Sequence, residues 1–183
     1  MGYVPKFIHF DHFIPVIYPF GIHWQHSYIQ QSAKAIFDTY KEDIEKGTSI
    51  TFVARGTSGA MVAGAMLNEL HNINPTTEVS ILIVRKEEDD AHCPSLRGIS
   101  EVGTTRFIVV DDFISTGETI EAIIQELDEY FKMISRPINK YDMLCISNFI
   151  ETKSLKKCSC DDWIKWKRIC SRFEYVVCCP EPR

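Results

Sequence analysis

This 183-residue sequence predicts an α/β fold, a parallel sheet with helices on both faces. Three observations predict it. Short apolar runs alternate with longer stretches in which apolar residues recur at helical spacing. The runs are apolar throughout rather than alternating with polar residues, as in strands covered on both sides. No internal repeat, low-complexity segment or linker divides the chain, and its length suits one domain with a proper core.

Taken in order, Trp24, Tyr28, Ile29, Ile36, Phe37, Tyr40 and Ile44 form the apolar stripe of an amphipathic helix that ends at Gly47. Ser49 to Ala54 reads as a short buried strand. Ser58 to His71 reads as a helix whose small residues Ala60, Ala63, Gly64 and Ala65 permit close packing. Val79 to Val84 is a second strand. Residues 85–105 are charged, contain Pro94 and two glycines, and read as a long loop of the kind that is usually functional or disordered. Phe107 to Val110 is a third strand, and Thr116 to Phe131 a helix with Ile120, Ile123, Ile124, Leu127 and Phe131 on one face. Tyr141 to Asn148 and Phe173 to Cys179 complete about five strands.

Bulk composition narrows the partners. A net charge of −5 gives no general attraction to nucleic acid or anionic membranes, so any phosphate must be held locally. The Phe- and Ile-rich segment Met1 to Trp24 carries Asp11 and three prolines and has no long apolar run. It is expected to be neither signal peptide nor membrane span, which makes the cytoplasm the expected compartment. Lys6 stands where a myristoylation signal would want Ser or Thr. Five of seven cysteines (Cys158, Cys160, Cys170, Cys178, Cys179) crowd the last quarter. Their spacing is not that of paired Cys-x-x-Cys zinc ligands, so reduced, buried thiols are expected over zinc. The histidines at 9, 12, 23 and 26 read as structural or surface residues.

The stretch from Phe107 to Thr119, Phe-Ile-Val-Val-Asp-Asp-Phe-Ile-Ser-Thr-Gly-Glu-Thr, carries the chemistry. Two carboxylates, Asp111 and Asp112, close an apolar run and suit the vicinal hydroxyls of a ribose. The turn through Ser115, Thr116, Gly117, Glu118 and Thr119 opens a helix, where backbone N–H groups and hydroxyls suit a phosphate. A Ser115/Glu118 capping box would account for those two residues alone. The whole order of parts resembles the motif that binds phosphoribosyl pyrophosphate (PRPP) in type I phosphoribosyltransferases. The resemblance spans about residues 48–148.

That resemblance implies further roles. Thr51 to Gly59 runs from a strand through Arg-Gly into a helix, as in the family's pyrophosphate loop. Ala54, Arg55, Gly56 and Thr57 would there offer backbone amides, with the Arg55 cation nearby. Phe113 and Ile114 complete the PRPP-binding stretch, and Asp111 and Asp112 would also hold the water shell of Mg2+. Arg85 and Lys86 match the basic start of the mobile loop that closes over pyrophosphate in orotate and adenine members. Here Glu87, Glu88, Asp89 and Asp90 follow, which makes the loop acidic and leaves open a non-catalytic PRPP- or nucleotide-sensing module. A zinc-stabilised interaction protein would rest on the terminal cysteines alone.

The implied activity is Mg2+-dependent transfer of ribose 5-phosphate between PRPP and a nucleobase, with pyrophosphate as leaving group. The implied partners are PRPP, a nucleobase or nucleoside monophosphate, and a second copy, since relatives are often dimers. Hypoxanthine- and guanine-specific members place an Asp before Thr-Gly to exchange a proton with the purine; this chain has Ser115. The expected organisation is one phosphoribosyltransferase-like domain over 1–183. Its core covers about 24–150, and a base-binding hood is built from about 1–23 and 151–183. Aromatic residues of the hood (Phe13, Tyr18, Phe20, Trp24, Trp163, Trp166, Phe173, Tyr175) are candidates to pack a lid or stack on a base.

Overall fold

A computed structural model describes residues 6–9, 26–84, 105–113, 117–133, 135, 141–147, 169 and 171–178. Strand β1 (Lys6–His9) precedes helix α1 (His26–Glu45), β2 (Ser49–Arg55), α2 (Gly56–Ile73), β3 (Val79–Val84), β4 (Thr105–Phe113), α3 (Glu118–Met133), β5 (Tyr141–Ser147) and β6 (Phe173–Cys178). The strands make one sheet in the order β1-β6-β5-β4-β2-β3. Every pairing is parallel.

Among the described residues the sheet has six strands rather than about five. The extra one, β1, comes from a segment expected to form hood; it pairs with β6 from Lys6–Tyr175 to His9–Cys178. Its apolar Phe7 and Ile8 meet the same backbone demand as any edge strand, so the sheet takes them. Phe173 and Tyr175, also assigned to the hood, belong to β6. The other aromatic hood candidates (Phe13, Tyr18, Phe20, Trp24, Trp163 and Trp166), the loop 85–104 and Cys158, Cys160, Cys170 and Cys179 lie outside the described residues.

Two hydrophobic clusters cover the two faces. On one, α1 contributes Ile29, Ala33, Ile36, Tyr40 and Ile44 and α2 contributes Val62, Ala63, Met66 and Leu70; they meet Ile50, Phe52, Ile108, Val110 and Leu144 of the sheet. On the other, Ile120, Ile123, Ile124, Leu127 and Phe131 of α3 meet Val53, Phe107, Val109, Tyr141 and Met143. Residues of β2 and β4 thus alternate between clusters, and both strands are buried on both sides, as the consecutive apolar residues Phe52 to Ala54 and Phe107 to Val110 predict. Helix α1 stops where Gly47 takes φ +88°, and its amide donates to the Ile44 carbonyl at 2.9 Å.

The ends of the strands away from the α2 and α3 starts are tied by polar contacts. Arg106 donates to Asp43 from Nη2 at 2.8 Å and from Nε at 3.1 Å, and reaches Glu174 at 3.4 Å. Asp128 of α3 accepts from the Tyr141 hydroxyl at 2.7 Å and from Arg172 at 2.6 Å. Between Tyr141 and Met143 the β5–β6 register slips by one residue, leaving an extra residue on β6. The Tyr175 amide in this irregular stretch donates to the Asp142 carboxylate at 3.0 Å.

Asp142 is 4% exposed, and burial pushes its pKa up to about 6; the neighbouring Tyr40 hydroxyl, the Tyr175 amide and Arg106 offset part of that shift. A carboxyl with a folded pKa above its unfolded value stabilises the protein fully at low pH, and loses that contribution as pH rises through about 6. Asp142→Asn keeps an acceptor for Tyr175 and removes the charge. Its stability relative to wild type should therefore rise by roughly 2–3 kcal/mol between pH 4 and pH 7, read from urea unfolding at both pH values. An unchanged difference would show that Asp142 carries no such burden.

Candidate functional site

Helices α2 and α3 start at the carboxyl ends of neighbouring strands and leave on opposite faces of the sheet. From β2 the chain passes through α2 to β3; from β4 it passes through α3 to β5, on the other side. Where adjacent strands send their connections apart in this way, a crevice opens at their carboxyl ends. The β2–β4 pairing runs from Ser49–Thr105 to Ala54–Val110. Beyond it, β4 continues along β5 with Asp111 opposite Cys145 and Phe113 opposite Ser147, while β2 turns away into α2. Asp111 is the first residue of β4 past that pairing.

On the β2 side, Ala54 is fully buried and Arg55 is half-buried. Arg55 caps α2 with extended backbone (φ −132°, ψ 133°) and provides no side-chain hydrogen bond to the helix start. Gly56 follows with φ +75°, a conformation that L side chains rarely adopt. No acidic residue occupies the first turn of α2. A helix start with no capping side chain and no acid in its first turn is of the kind that suits an external anion. Peptide bonds among the described residues are all trans.

On the β4 side, the two acids belong to the strand itself, which extends to Phe113 rather than ending at Val110. Asp111 is 8% exposed, and its alternation with Phe107 and Val109 puts it on the α3 face. Gly117, buried with φ +78°, sits just before α3, and its carbonyl accepts the Glu121 amide at 2.9 Å. The helix begins at Glu118 instead of Thr116 and carries Glu118 and Glu121 in its first turn. Those carboxylates offset the α3 dipole, so anion binding there must come from directed donors more than from the helix field.

The structure therefore brings Ala54, Arg55, Gly56 and Thr57 to one side of the crevice and Asp111, Gly117, Glu118 and Thr119 to the other. Asp112 and Phe113 are placed by backbone in β4. Arg85, Lys86, Ile114, Ser115 and Thr116, and the acidic run 87–90 behind the sensing alternative, lie outside the described residues. Among the described residues, no cluster of three or more His, Cys, Asp or Glu side chains could hold a metal. Nor does any described helix have the length and apolarity to cross a membrane.

One residue at this junction, named only as the end of the Thr51–Gly59 segment, has no role of its own in the sequence argument. Gly59, buried in the first turn of α2, lies where a Cβ would be 3.3 Å from the Val110 carbonyl oxygen and 3.4 Å from the Ala54 Cβ. The run of small residues in α2 pointed to close packing but not to this position. Gly64, named for it, has nothing within 4 Å of such a Cβ.

The family model of the phosphoribosyl transferase domain matches residues 22–131, more than half of the chain. The chain belongs to that family. This phosphoribosyltransferase is a pentosyl-transferring enzyme that uses PRPP, and the match takes in both sides of the crevice, from β2 to α3. Among solved structures it is similar to HGPRT-ase from Leishmania tarentolae in complex with GMP, at 11% identity, 86% of this chain, 78% of that chain and a TM-score of 0.51. It is also similar to a mutant hypoxanthine phosphoribosyltransferase from Trypanosoma cruzi complexed with IMP, at 16% identity, 85% and 68% coverage and a TM-score of 0.51. At these identities the likeness is one of fold. A comparison with the curated proteins finds no match.

The two left-handed glycines flanking the crevice give a stability prediction. Gly56→Ala and Gly117→Ala should each cost about 1–2 kcal/mol, because an L residue must adopt positive φ. Gly64→Ala, in open helix surface, should gain up to about 1 kcal/mol from helix propensity. Denaturant midpoints of the three variants check the contrast; equal midpoints would refute the assigned backbone conformations.

Proposed function

We propose that this phosphoribosyltransferase moves ribose 5-phosphate between PRPP and a nucleobase, with Mg2+, and releases pyrophosphate. The observation that carries the reading is the meeting of the Arg55–Gly56 turn with Asp111 and the Gly117 turn at the divergence of β2 and β4. PRPP has a pyrophosphate at one end of its ribose and a phosphate at the other, and this crevice offers an amide-rich helix start on each side. Asp111 and Asp112 would hold the ribose hydroxyls between them. Their hard carboxylate oxygens also fit a hydrated Mg2+, which when bound stabilises charge on the departing pyrophosphate.

The residues of the chain would act by placement. The α2 amides and Arg55 hold the leaving group, and the carboxylates fix the sugar so that its anomeric carbon faces the incoming nitrogen. As the bond from the anomeric carbon to the pyrophosphate oxygen lengthens and the bond to the base nitrogen forms, positive charge grows on the ribose ring and negative charge on the pyrophosphate, and the donors aimed at the latter lower the barrier. Lys86 and Arg85, at the start of the loop after β3, would bring further cations. No protein nucleophile is required. Ser115 in place of an Asp argues that an oxopurine proton would have to be handled by another group, so the identity of the base is the open part of the proposal.

A homodimer in the cytoplasm is part of the same reading. Edge strand β3 has exposed Ile81 and Ile83 and no charged side chain, which suits contact with a second copy.

A panel of purine and pyrimidine bases incubated with PRPP, followed by pyrophosphate release, tests the function; one base should yield a nucleotide, and silence across the panel would favour the sensing module. Asp111→Asn combined with Asp112→Asn should abolish the calorimetric signal of PRPP binding, and retained affinity would overturn the site. Lys86→Ala should slow pyrophosphate release about tenfold or more with little change in PRPP affinity. Equal loss of both would assign Lys86 to ground-state binding instead.

A further inference from the structure

We infer that Gly59 is a positioning residue that sets the separation between the pyrophosphate half and the ribose half of the PRPP site, an inference that rests on the reading above. Gly59 is in the first turn of α2, three residues after the Gly56 turn, and is buried against two strands at once. Below it is Ala54, the last β2 residue paired with β4. Beside it is the carbonyl of Val110, which belongs to the peptide unit leading directly into Asp111.

A Cβ at position 59 would meet that carbonyl oxygen at 3.3 Å and the Ala54 Cβ at 3.4 Å. The carbonyl is part of a central strand fixed by pairing on both sides, so it has little freedom to give way. The helix start would give way instead, by a few tenths of an ångström, and would lift off the strand end that carries Asp111. Each half-site would keep its own residues and its own local geometry; what would change is the distance between them.

A ligand that spans both halves is sensitive to that distance, whereas its fragments are not. PRPP links a pyrophosphate and a ribose 5-phosphate at fixed separation, so its affinity includes the advantage of engaging two matched half-sites together. A side chain at position 59 erodes this advantage selectively. The contrast with Gly64, five residues further along the same helix and with nothing within 4 Å of an added Cβ, supplies an internal control. Alanine is the better helix former at either position, so propensity acts alike on both variants.

The experiment measures Kd by calorimetry in magnesium buffer for PRPP, pyrophosphate and ribose 5-phosphate, on the full chain. Variants are Gly59→Ala, Gly64→Ala and Ala54→Val; the last presses on the same contact from the sheet side and stands in if Gly59→Ala does not fold. Gly59→Ala and Ala54→Val should weaken PRPP roughly tenfold; Gly59→Ala should leave both fragments, and Ala54→Val should leave ribose 5-phosphate, within about twofold, and Gly64→Ala should match wild type for all three. A general loosening of the structure would weaken all three ligands together, and that result overturns the spacer role. Wild-type affinity for PRPP in Gly59→Ala overturns it as well. If the wild-type protein itself binds no PRPP, the underlying site assignment fails and the spacer falls with it.

Discussion

The pairing of β2 with β4 is the constraint on which the rest of the molecule depends. It lies at the centre of the sheet, and its six registered residue pairs are covered by α1 and α2 on one face and α3 on the other. Because β2 turns into α2 just past the last pair while β4 carries Asp111 directly beyond it, the register fixes how the Arg55–Gly56 turn stands relative to Asp111. A slip of one residue would exchange the faces of Phe52 and Val53 and move Asp111 to the other side of the sheet. Buried residues on both faces of both strands make such a slip prohibitively costly. The placement of Arg55 relative to Asp111 is thus inherited from core packing.

Much of this was legible in the chain. The order of elements follows from apolar periodicity, and Gly47 marks a helix end because only a residue free of a Cβ takes that backbone angle easily. The Asp111–Thr119 motif was readable because its chemistry is local, a strand end running into a helix start. Three features were not. The Lys6–His9 strand is four residues long and its partner lies near the other end of the chain, so no local signal identifies it. Asp111 and Asp112 fall inside β4, although charged residues usually close a strand, because β5 continues to pair where β2 has left. Gly59 was hidden among other small residues, and only the approach of a distant carbonyl separates it from Gly64.

The far ends of the strands show a different economy. Arg106 sits over the Tyr40 ring at 5.4 Å while it bonds Asp43, and Arg172 does the same over Tyr141 at 5.7 Å while it bonds Asp128. Each arginine combines charged and aromatic contacts to tie a helix to the strands, and Arg106 adds a second ion pair to Glu174. Their side chains are about one-third exposed, so the ion pairs are screened and most of the holding falls to packing. Asp142 is the exception, a carboxylate kept indoors because an irregular register leaves an amide beside it.

The position of β1 has a consequence for how the chain comes together during synthesis. Residues 49–147 contain the β2, β3, β4 and β5 strands with both crossover helices, and all their pairings are short-range enough to form while the ribosome is still at work. Strand β1 emerges first and joins last: its partner is residues 175–178 of β6, and β6 must itself settle on β5. Until then β1 has no partner in the sheet. This edge is closed by a strand that precedes the other five in sequence, but only once β6, the last of them, has been made.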